Sequence, residues 1–324
     1  MAPVLEVQDL SVSYRRAGDI PQPALAGVSF ELMQGEILGV LGESGSGKST
    51  LAMTLLRLLA PNANVTKGAV LFEGKDLLQS NSEELRKVRG RRIALIFQEP
   101  VLALHPTMRA GEQVRQLLLA HNSVPQLSLN EKVRQIFDKI FLQDAERILR
   151  SYPHQLSGGQ RQRVLIAQAI ACNPSVIIAD ESTASLDPTI TMEILGLFQR
   201  LKTQLNLAMI FITHNPALLA GFADRVMILY GGRVAELGPA DAVLASPRHP
   251  YTQALFQAVP QSLDEDEQTR MEKLPSIAGE YSSSLPEGCC FEPRCAERMA
   301  VCSGHAPALT KVNQAHSAAC FKYE

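Results

Sequence analysis

Three groups of residues in this 324-residue chain have the types and spacing to do chemistry. The first is Gly42-Glu43-Ser44-Gly45-Ser46-Gly47-Lys48-Ser49, followed by Thr50. Glycines at these intervals let backbone N–H groups turn inward on an anion, and a helix beginning at the lysine aims its positive end at the same point. Lys48 is then placed to hold the β- and γ-phosphates of a nucleotide and Ser49 to bind magnesium, with Gly42, Ser44, Gly45, Gly47 and Thr50 completing the cradle. The second group is Asp180-Glu181, closing the apolar run Val176 to Ala179. A carboxylate leaving the C-terminal edge of a central strand reaches such a metal, and one beside it polarises a water. Asp180 is therefore the expected magnesium ligand and Glu181 the expected general base. The third group is five of the six cysteines, which fall between Cys289 and Cys320. In a reducing compartment that clustering points to a metal or cluster and away from disulfides.

The elements that must position these groups are legible around them. Glu36 to Leu41 is a short apolar run suited to a strand buried on both faces, and from Thr50 to Leu59 the pattern turns helical and stops before Pro61-Asn62. Strand, glycine-rich loop and helix is the order that a phosphate-binding loop requires. Buried-strand patterns return at Val176 to Ala179, Ala208 to Ile212 and Val226 to Tyr230, and Gly231-Gly232 with Val234 to Leu237 reads as a hairpin. Near the start, Val4 to Val7 and Val12 to Tyr14 alternate like strands, with a loop from Ala17 to Pro23. Residues from about Pro106 to Leu156 are mostly helix-forming, and Val133, Ile136, Phe137 and Ile140 are spaced by three and four, marking a helical insertion at about 99–156. After about Pro260, the acidic run Asp264 to Glu267 and the serines Ser282 to Ser284 suggest a linker or a meandering extension. Cys172 reads as a small core hydrophobe in the helix behind Gln160.

Composition narrows the function. Apolar residues make up 46% and charged residues 20%, which suits a folded soluble protein. Lys and Arg total 31 against 33 for Asp and Glu, so no net positive field draws in a nucleic acid. Met1 to Leu10 lacks a signal-peptide pattern, and no run approaches the ~20 apolar residues needed to span a bilayer. A cytoplasmic chain is expected, with any membrane contact made through another protein.

Leu156-Ser157-Gly158-Gly159-Gln160 resembles the signature pentapeptide of ABC ATPases, and Arg161-Gln162-Arg163-Val164 and an alanine-rich helix follow it as in that family. Ser157 is a capping residue, and the two glycines leave N–H groups open to an anion. The resemblance implies that Ser157, Gly158, Gly159 and Gln160 close on the nucleotide held by a second ATPase subunit, so that two subunits sandwich two ATP molecules. By motif, Tyr14 resembles the aromatic residue that stacks on adenine. Gln98, in Phe97-Gln98-Glu99-Pro100, resembles the glutamine that senses the γ-phosphate and joins Ser49 and Asp180 at magnesium. His214 resembles the switch histidine that contacts the γ-phosphate, and Ala184-Ser185-Leu186-Asp187 the loop that communicates across the dimer. Departures from the family pattern are Ser182 for Pro, Glu99 for Asp, Asn215 for Asp, and Ala184-Ser185 for Ser or Thr then Ala; none removes a catalytic group.

Pro247-Arg248-His249-Pro250-Tyr251-Thr252 and Gly288-Cys289-Cys290-Phe291-Glu292-Pro293-Arg294-Cys295 look like the C-terminal extension of ATP-binding subunits from dipeptide, oligopeptide and nickel importers. The resemblance thus implies an α/β fold with an ABC-type ATPase domain over residues 1–258, having a mainly parallel core sheet, an antiparallel β portion and a helical subdomain, and a cysteine-containing extension over 259–324. It implies an ATPase using ATP and Mg2+ to power uptake of peptides or nickel. The partners it implies are a second ATPase subunit, in a hetero- or homodimer, two transmembrane permease subunits and an extracytoplasmic binding protein. The chain would sit peripherally on the cytoplasmic face of the inner membrane. Cys289, Cys295, Cys302 and Cys320 match positions where some family members hold a [4Fe-4S] cluster; zinc or plain thiols are the alternatives, although close Cys-x2-Cys pairs are absent. A peptide exporter subunit and a redox-sensing regulatory subunit are the competing functional readings.

Overall fold

The computed structural model describes residues 2–15, 21–121, 125, 128–140, 144–184, 186–258, 277, 287–313 and 315–324. Strand β1 (Leu5–Tyr14) joins the two runs that the sequence shows as separate strands, because a bulge at Asp9, with φ 48°, carries the chain through the polar Gln8-Asp9 step. Strand β2 (Gln22–Leu32) pairs with it, and β3 (Ile37–Leu41) is buried at all five positions. Helix α1 (Lys48–Leu55) starts and ends earlier than its apolar pattern, since Arg57 takes a left-handed φ of 50° just beyond its end. Next come β4 (Ala63–Phe72), β5 (Lys75–Asp76), α2 (Ser82–Val88) with a capping box from Asn81 and Glu84, and β6 (Ile93–Ile96).

The insertion is helical, as its spacing predicts: α3 (Pro100–Ala103), α4 (Ala110–Ala120), α5 (Leu129–Lys139) and α6 (Ala145–Arg150), with Val133, Ile136 and Phe137 of α5 buried. The remainder alternates: α7 (Gly158–Ile170), β7 (Val176–Asp180), α8 (Pro188–Leu205), β8 (Ala208–Ile212), β9 (Arg225–Tyr230), β10 (Arg233–Pro239), α9 (Ala240–Ala245) and α10 (Pro250–Gln257). Two short strands, β11 (Thr310–Lys311) and β12 (Ser317–Ala318), come near the C-terminus. Cys172 lies in the turn beyond α7 and not within the helix; it is half-buried and packs against the core. Of the loop expected over Ala17 to Pro23, Gln22 and Pro23 instead open β2 on the edge of the antiparallel sheet, while residues 17–20, the acidic run 264–267 and the serines 282–284 lie outside the described residues.

Two sheets organise the chain. The smaller is antiparallel, in the order β2-β1-β4-β5; the larger runs β11-β12-β10-β9-β3-β8-β7-β6. Within the larger sheet β9, β3, β8, β7 and β6 are parallel, and β10 joins antiparallel to β9 through the Gly231-Gly232 turn. Both turn glycines have positive φ, 55° and 72°, the backbone twist that a two-residue hairpin needs. Alternate residues of β3 enter different cores: Ile37 and Leu41 face the layer containing α7 and α8, while Leu38 and Val40 face the layer shared with the antiparallel sheet. This double burial makes the parallel strands read as unbroken apolar runs.

The C-terminal tail continues the larger sheet, with β12 pairing antiparallel to β10 and β11 to β12. Glu236 of β10 is fully buried at this seam. Its carboxylate accepts the backbone N–H groups of Arg248 at 2.7 Å and His249 at 2.9 Å, and lies 2.6 Å from Nε2 of His316. Removing one partner from such a network leaves the others unsatisfied in a dry interior. Glu236→Ala is expected to destabilise the chain by about 3 kcal/mol, read as a lower midpoint in chemical denaturation.

Candidate functional site

The phosphate loop leaves the C-terminal end of β3 and turns into α1, and its shape depends on residues without side chains. A Cβ on Gly47, whose φ is +104°, would lie 2.6 Å from the carbonyl oxygen of Ala24, and one on Gly42 would lie 2.3 Å from that of Leu229. The Lys48 ammonium is buried and donates to the carbonyls of Gly42 at 2.8 Å and Glu43 at 2.9 Å. Burial lowers its pKa, opposed by the carboxylates of Glu181, Asp180 and Glu43. Ser44, Gly45 and Ser49 are exposed along the loop, while Ser46, passed over in the sequence, is fully buried with no partner for its hydroxyl. Thr50 lies beside Tyr14 at the end of β1, the two hydroxyl oxygens 3.4 Å apart.

Strands β7 and β8 bring the acidic groups to the same edge. Asp180 ends β7 almost fully buried; its Oδ1 has no hydrogen-bond partner, and Ser49 hydrogen-bonds to the carboxylate. Burial raises the Asp180 pKa above the ordinary carboxylate value, against the lowering effect of Ser49. An unsatisfied, buried carboxylate oxygen beside a serine hydroxyl suits a small divalent cation that prefers oxygen ligands. The next residue, Glu181, has φ 46°, in the left-handed region. Its carboxylate accepts from Nε2 of Gln98 at 2.9 Å and lies 3.7 Å from Nδ1 of His214. Gln98 and His214 are both exposed, while the Glu181 side chain between them is half-buried.

The signature residues stand at the start of α7. Ser157 accepts from the backbone N–H of Gln160 at 3.3 Å, and Gln160 Oε1 accepts from the backbone N–H of Ser157 at 3.1 Å. This capping box occupies the Gln160 N–H, and the N–H groups of Gly158 and Gly159 precede the first donor bonded within the helix. Gly159 must be small, since a Cβ there would lie 2.9 Å from Ile190, and Asp187 caps α8 beside it, accepting from Ile190 N–H at 3.0 Å. Ser185 lies outside the described residues.

The cysteines behave differently from the expectation. Cys289, Cys290, Cys295, Cys302 and Cys320 are free thiols in one small lobe, with the Cys289 N–H bonded to the Cys302 carbonyl at 2.8 Å. Among the described residues no group of three or more His, Cys, Asp or Glu is arranged to hold a metal ion. Burial pushes the Cys289 thiol up to about 11 and raises Cys290, Cys295 and Cys320 as well. Neither the cluster nor zinc is supported by this arrangement. The spacing of cysteines along a chain does not determine how their sulfurs converge.

Comparison with known proteins gives the family. Residues 25–184 match the family model described as ABC transporter, and residues 235–302 match that of the oligopeptide/dipeptide transporter C-terminal region. The chain is 40% identical over 322 residues to the oligopeptide transport ATP-binding protein OppD of Escherichia coli, covering 98% of this chain and 93% of that one. It is 39% identical over 323 residues to the dipeptide transport ATP-binding protein DppD of Bacillus subtilis, covering 99% and 95%. Among solved structures, a dimeric ATP-binding cassette in a post-hydrolysis state with ADP and Pi superposes with TM-score 0.65 at 28% identity, covering 73% of this chain and 98% of that one. The cbiO1 subunit of a Clostridium perfringens ABC transporter complex gives 0.65 at 27% identity, covering 76% and 92%.

The elevated Asp180 pKa has a consequence for stability. A carboxyl whose folded-state pKa lies above its unfolded value contributes stability that is present at low pH and lost as pH rises through the folded pKa. Asp180→Asn, neutral at every pH, is expected to raise the thermal midpoint of the nucleotide-free chain at pH 7. The gain should fade as the medium is acidified below the ordinary carboxylate range. The same variant should lose magnesium-dependent nucleotide hydrolysis, measured by phosphate release.

Proposed function

The chain belongs to the ABC transporter ATP-binding family, in the branch with the oligopeptide/dipeptide transporter C-terminal region, and we propose that it is the ATP-hydrolysing subunit of a peptide importer. The observation that carries this reading is the convergence of Lys48, Asp180, Glu181, Gln98 and His214 on one edge of the parallel sheet, next to the loop between β3 and α1. The relatives named for dipeptide and oligopeptide transport extend over nearly the whole chain and supply the substrate class.

The residues divide the work. The loop's N–H groups and Lys48 bind the β- and γ-phosphates of ATP, and Tyr14 stacks on the base. Ser49 and Asp180, with Gln98, are the groups that would hold magnesium, which neutralises charge on the phosphate oxygens when bound. Glu181 already accepts a hydrogen bond from Gln98, which orients its carboxylate to take a proton from an attacking water. His214 stands beside Glu181 to contact the γ-phosphate. Ser157 to Gln160 are supplied to the nucleotide of a second ATPase subunit, the same chain or a related one; the dimeric cassette carrying ADP and Pi supports that pairing.

Coupling to transport follows from the insertion. No described helix is long and apolar enough to cross a membrane. Phe97, Val101 and Leu102, on either side of Gln98 and into α3, are exposed by 43%, 61% and 81%, an apolar edge suited to the cytoplasmic loops of two permease subunits. Gln98 thus joins the hydrolytic carboxylate to the membrane-facing edge, and the chain lies peripherally at the cytoplasmic face. An extracytoplasmic binding protein presents the peptide to the assembled transporter.

Glu181→Gln keeps the Gln98 contact while removing the base. In the complex purified with its membrane partners, kcat for ATP should fall by about a hundredfold to ten-thousandfold while ATP binding persists. Wild-type turnover in that variant would refute the assignment. Peptide uptake into proteoliposomes that depends on ATP tests the transport reading itself; ATP turnover without uptake of any di- or oligopeptide would refute the substrate class.

A further inference from the structure

Glu43, the second residue of the phosphate loop, is fixed at three points, two of them by chain more than 200 positions away. Its carbonyl accepts from Lys48 at 2.9 Å. Its backbone N–H donates to the phenol oxygen of Tyr251 at 2.9 Å. Its carboxylate is gripped by Arg294, with Nη1 to Oε2 at 2.8 Å and Nη2 to Oε1 at 3.3 Å. Only 8% of the Arg294 side chain and 24% of the Glu43 side chain are exposed, so water screens this pair weakly.

The residues making these contacts are themselves held rigidly. Tyr251 is fully buried and packs on Tyr230 with ring centroids 4.4 Å apart and on Phe291 at 5.4 Å. Phe291 meets Tyr230 edge to face at 5.2 Å, and Arg294 Nη1 also donates to the Tyr230 hydroxyl at 3.3 Å. Tyr230 immediately precedes the Gly231-Gly232 turn, whose Gly232 N–H donates to the Ser46 carbonyl at 3.0 Å. One aromatic cluster therefore braces both limbs of the phosphate loop, and it is built partly from the lobe that carries the cysteines.

We propose that Tyr251 and Arg294 are positioning residues for ATP: acting through Glu43, they hold the phosphate loop in its binding shape before nucleotide arrives, so that the C-terminal region sets the enzyme's affinity for ATP. The proposal rests on the ATPase reading above. Neither side chain needs to touch the nucleotide. A loop already in its bound conformation gives up less conformational freedom on binding, and loosening it weakens ground-state and transition-state binding together. The expected signature is a change in KM with little change in kcat. A role confined to anchoring the lobe would lower the melting temperature and leave KM alone.

The test uses the transporter complex purified with its membrane subunits and magnesium ATP as the probe. Arg294→Gln and Tyr251→Phe, the latter keeping the ring and losing only the hydroxyl, should each raise KM for ATP by about fivefold to thirtyfold with kcat within about twofold of wild type. Arg294→Lys should recover part of the loss. In a Glu43→Gln background, Arg294→Gln should add little, because its partner's charge is already gone. Unchanged KM in both single variants, or an equal effect of Arg294→Gln with and without the Glu43 carboxylate, would overturn the proposal. If Arg294→Gln does not assemble, Tyr251→Phe decides alone, a raised KM supporting the proposal and an unchanged one overturning it. A wild-type complex without ATP turnover would instead refute the underlying ATPase reading.

Discussion

A buried ammonium group organises this protein. Lys48 lies in the interior at the start of α1, where burial works against its charge, and the structure compensates with two carbonyl oxygens of the loop and three nearby carboxylates. In water such a cation would be solvated from all sides; here its surroundings are fixed and face one way. The terminal phosphates of a nucleotide carry the charge that Lys48 attracts, and the same cation favours ionisation of Asp180 against the raising effect of burial.

The parallel sheet makes that arrangement attainable. Neighbouring strands β3, β8 and β7 end at one edge, and the chain leaves each with a polar group: the phosphate loop after Leu41, His214 after Ile212, and Asp180-Glu181 at the end of β7. Register sets Val40 of β3 beside Ile212 of β8, more than 100 positions away along the chain. The left-handed φ of Glu181 is strain that the strand would not tolerate without support, and its backbone N–H bond to the Ile212 carbonyl at 3.0 Å supplies part of that support. The strain turns the carboxylate towards Gln98, which belongs to the link between sheet and insertion.

Much of this is legible in the sequence. The glycines and Lys48 need their own local geometry, so the loop announces itself, and double burial makes β3, β7, β8 and β9 stand out as apolar runs. Gln98 and His214 were legible only through the resemblance, because both are exposed polar residues at the ends of strands, with no periodicity or composition to separate them from ordinary loop residues. The continuation of the large sheet through β12 and β11 escaped notice for a different reason: two-residue strands carry no alternation. The metal centre expected at the thiols is not supported among the described residues, since spacing along the chain does not fix how sulfurs converge. Glu43 escaped attention because its partners, Tyr251 and Arg294, are 208 and 251 positions away.

The contacts of Glu43 bear on how the two parts of the chain relate. An appendage that served only to enlarge the subunit would attach by the cheapest means, through apolar burial on an outer face. Here the attachment includes a two-pronged ion pair and a phenol hydrogen bond to the loop that binds phosphate, together with a buried carboxylate, Glu236, that joins β10 to the segment after α9 and to His316 of the tail. Polar contacts of this kind are directional and contribute more to orientation than to net stability. Placing them at the leading turn of the phosphate loop means that a displacement of the lobe must alter either the loop or the aromatic cluster behind it. Tyr251 and Arg294 of the C-terminal region thus touch the loop between β3 and α1 directly.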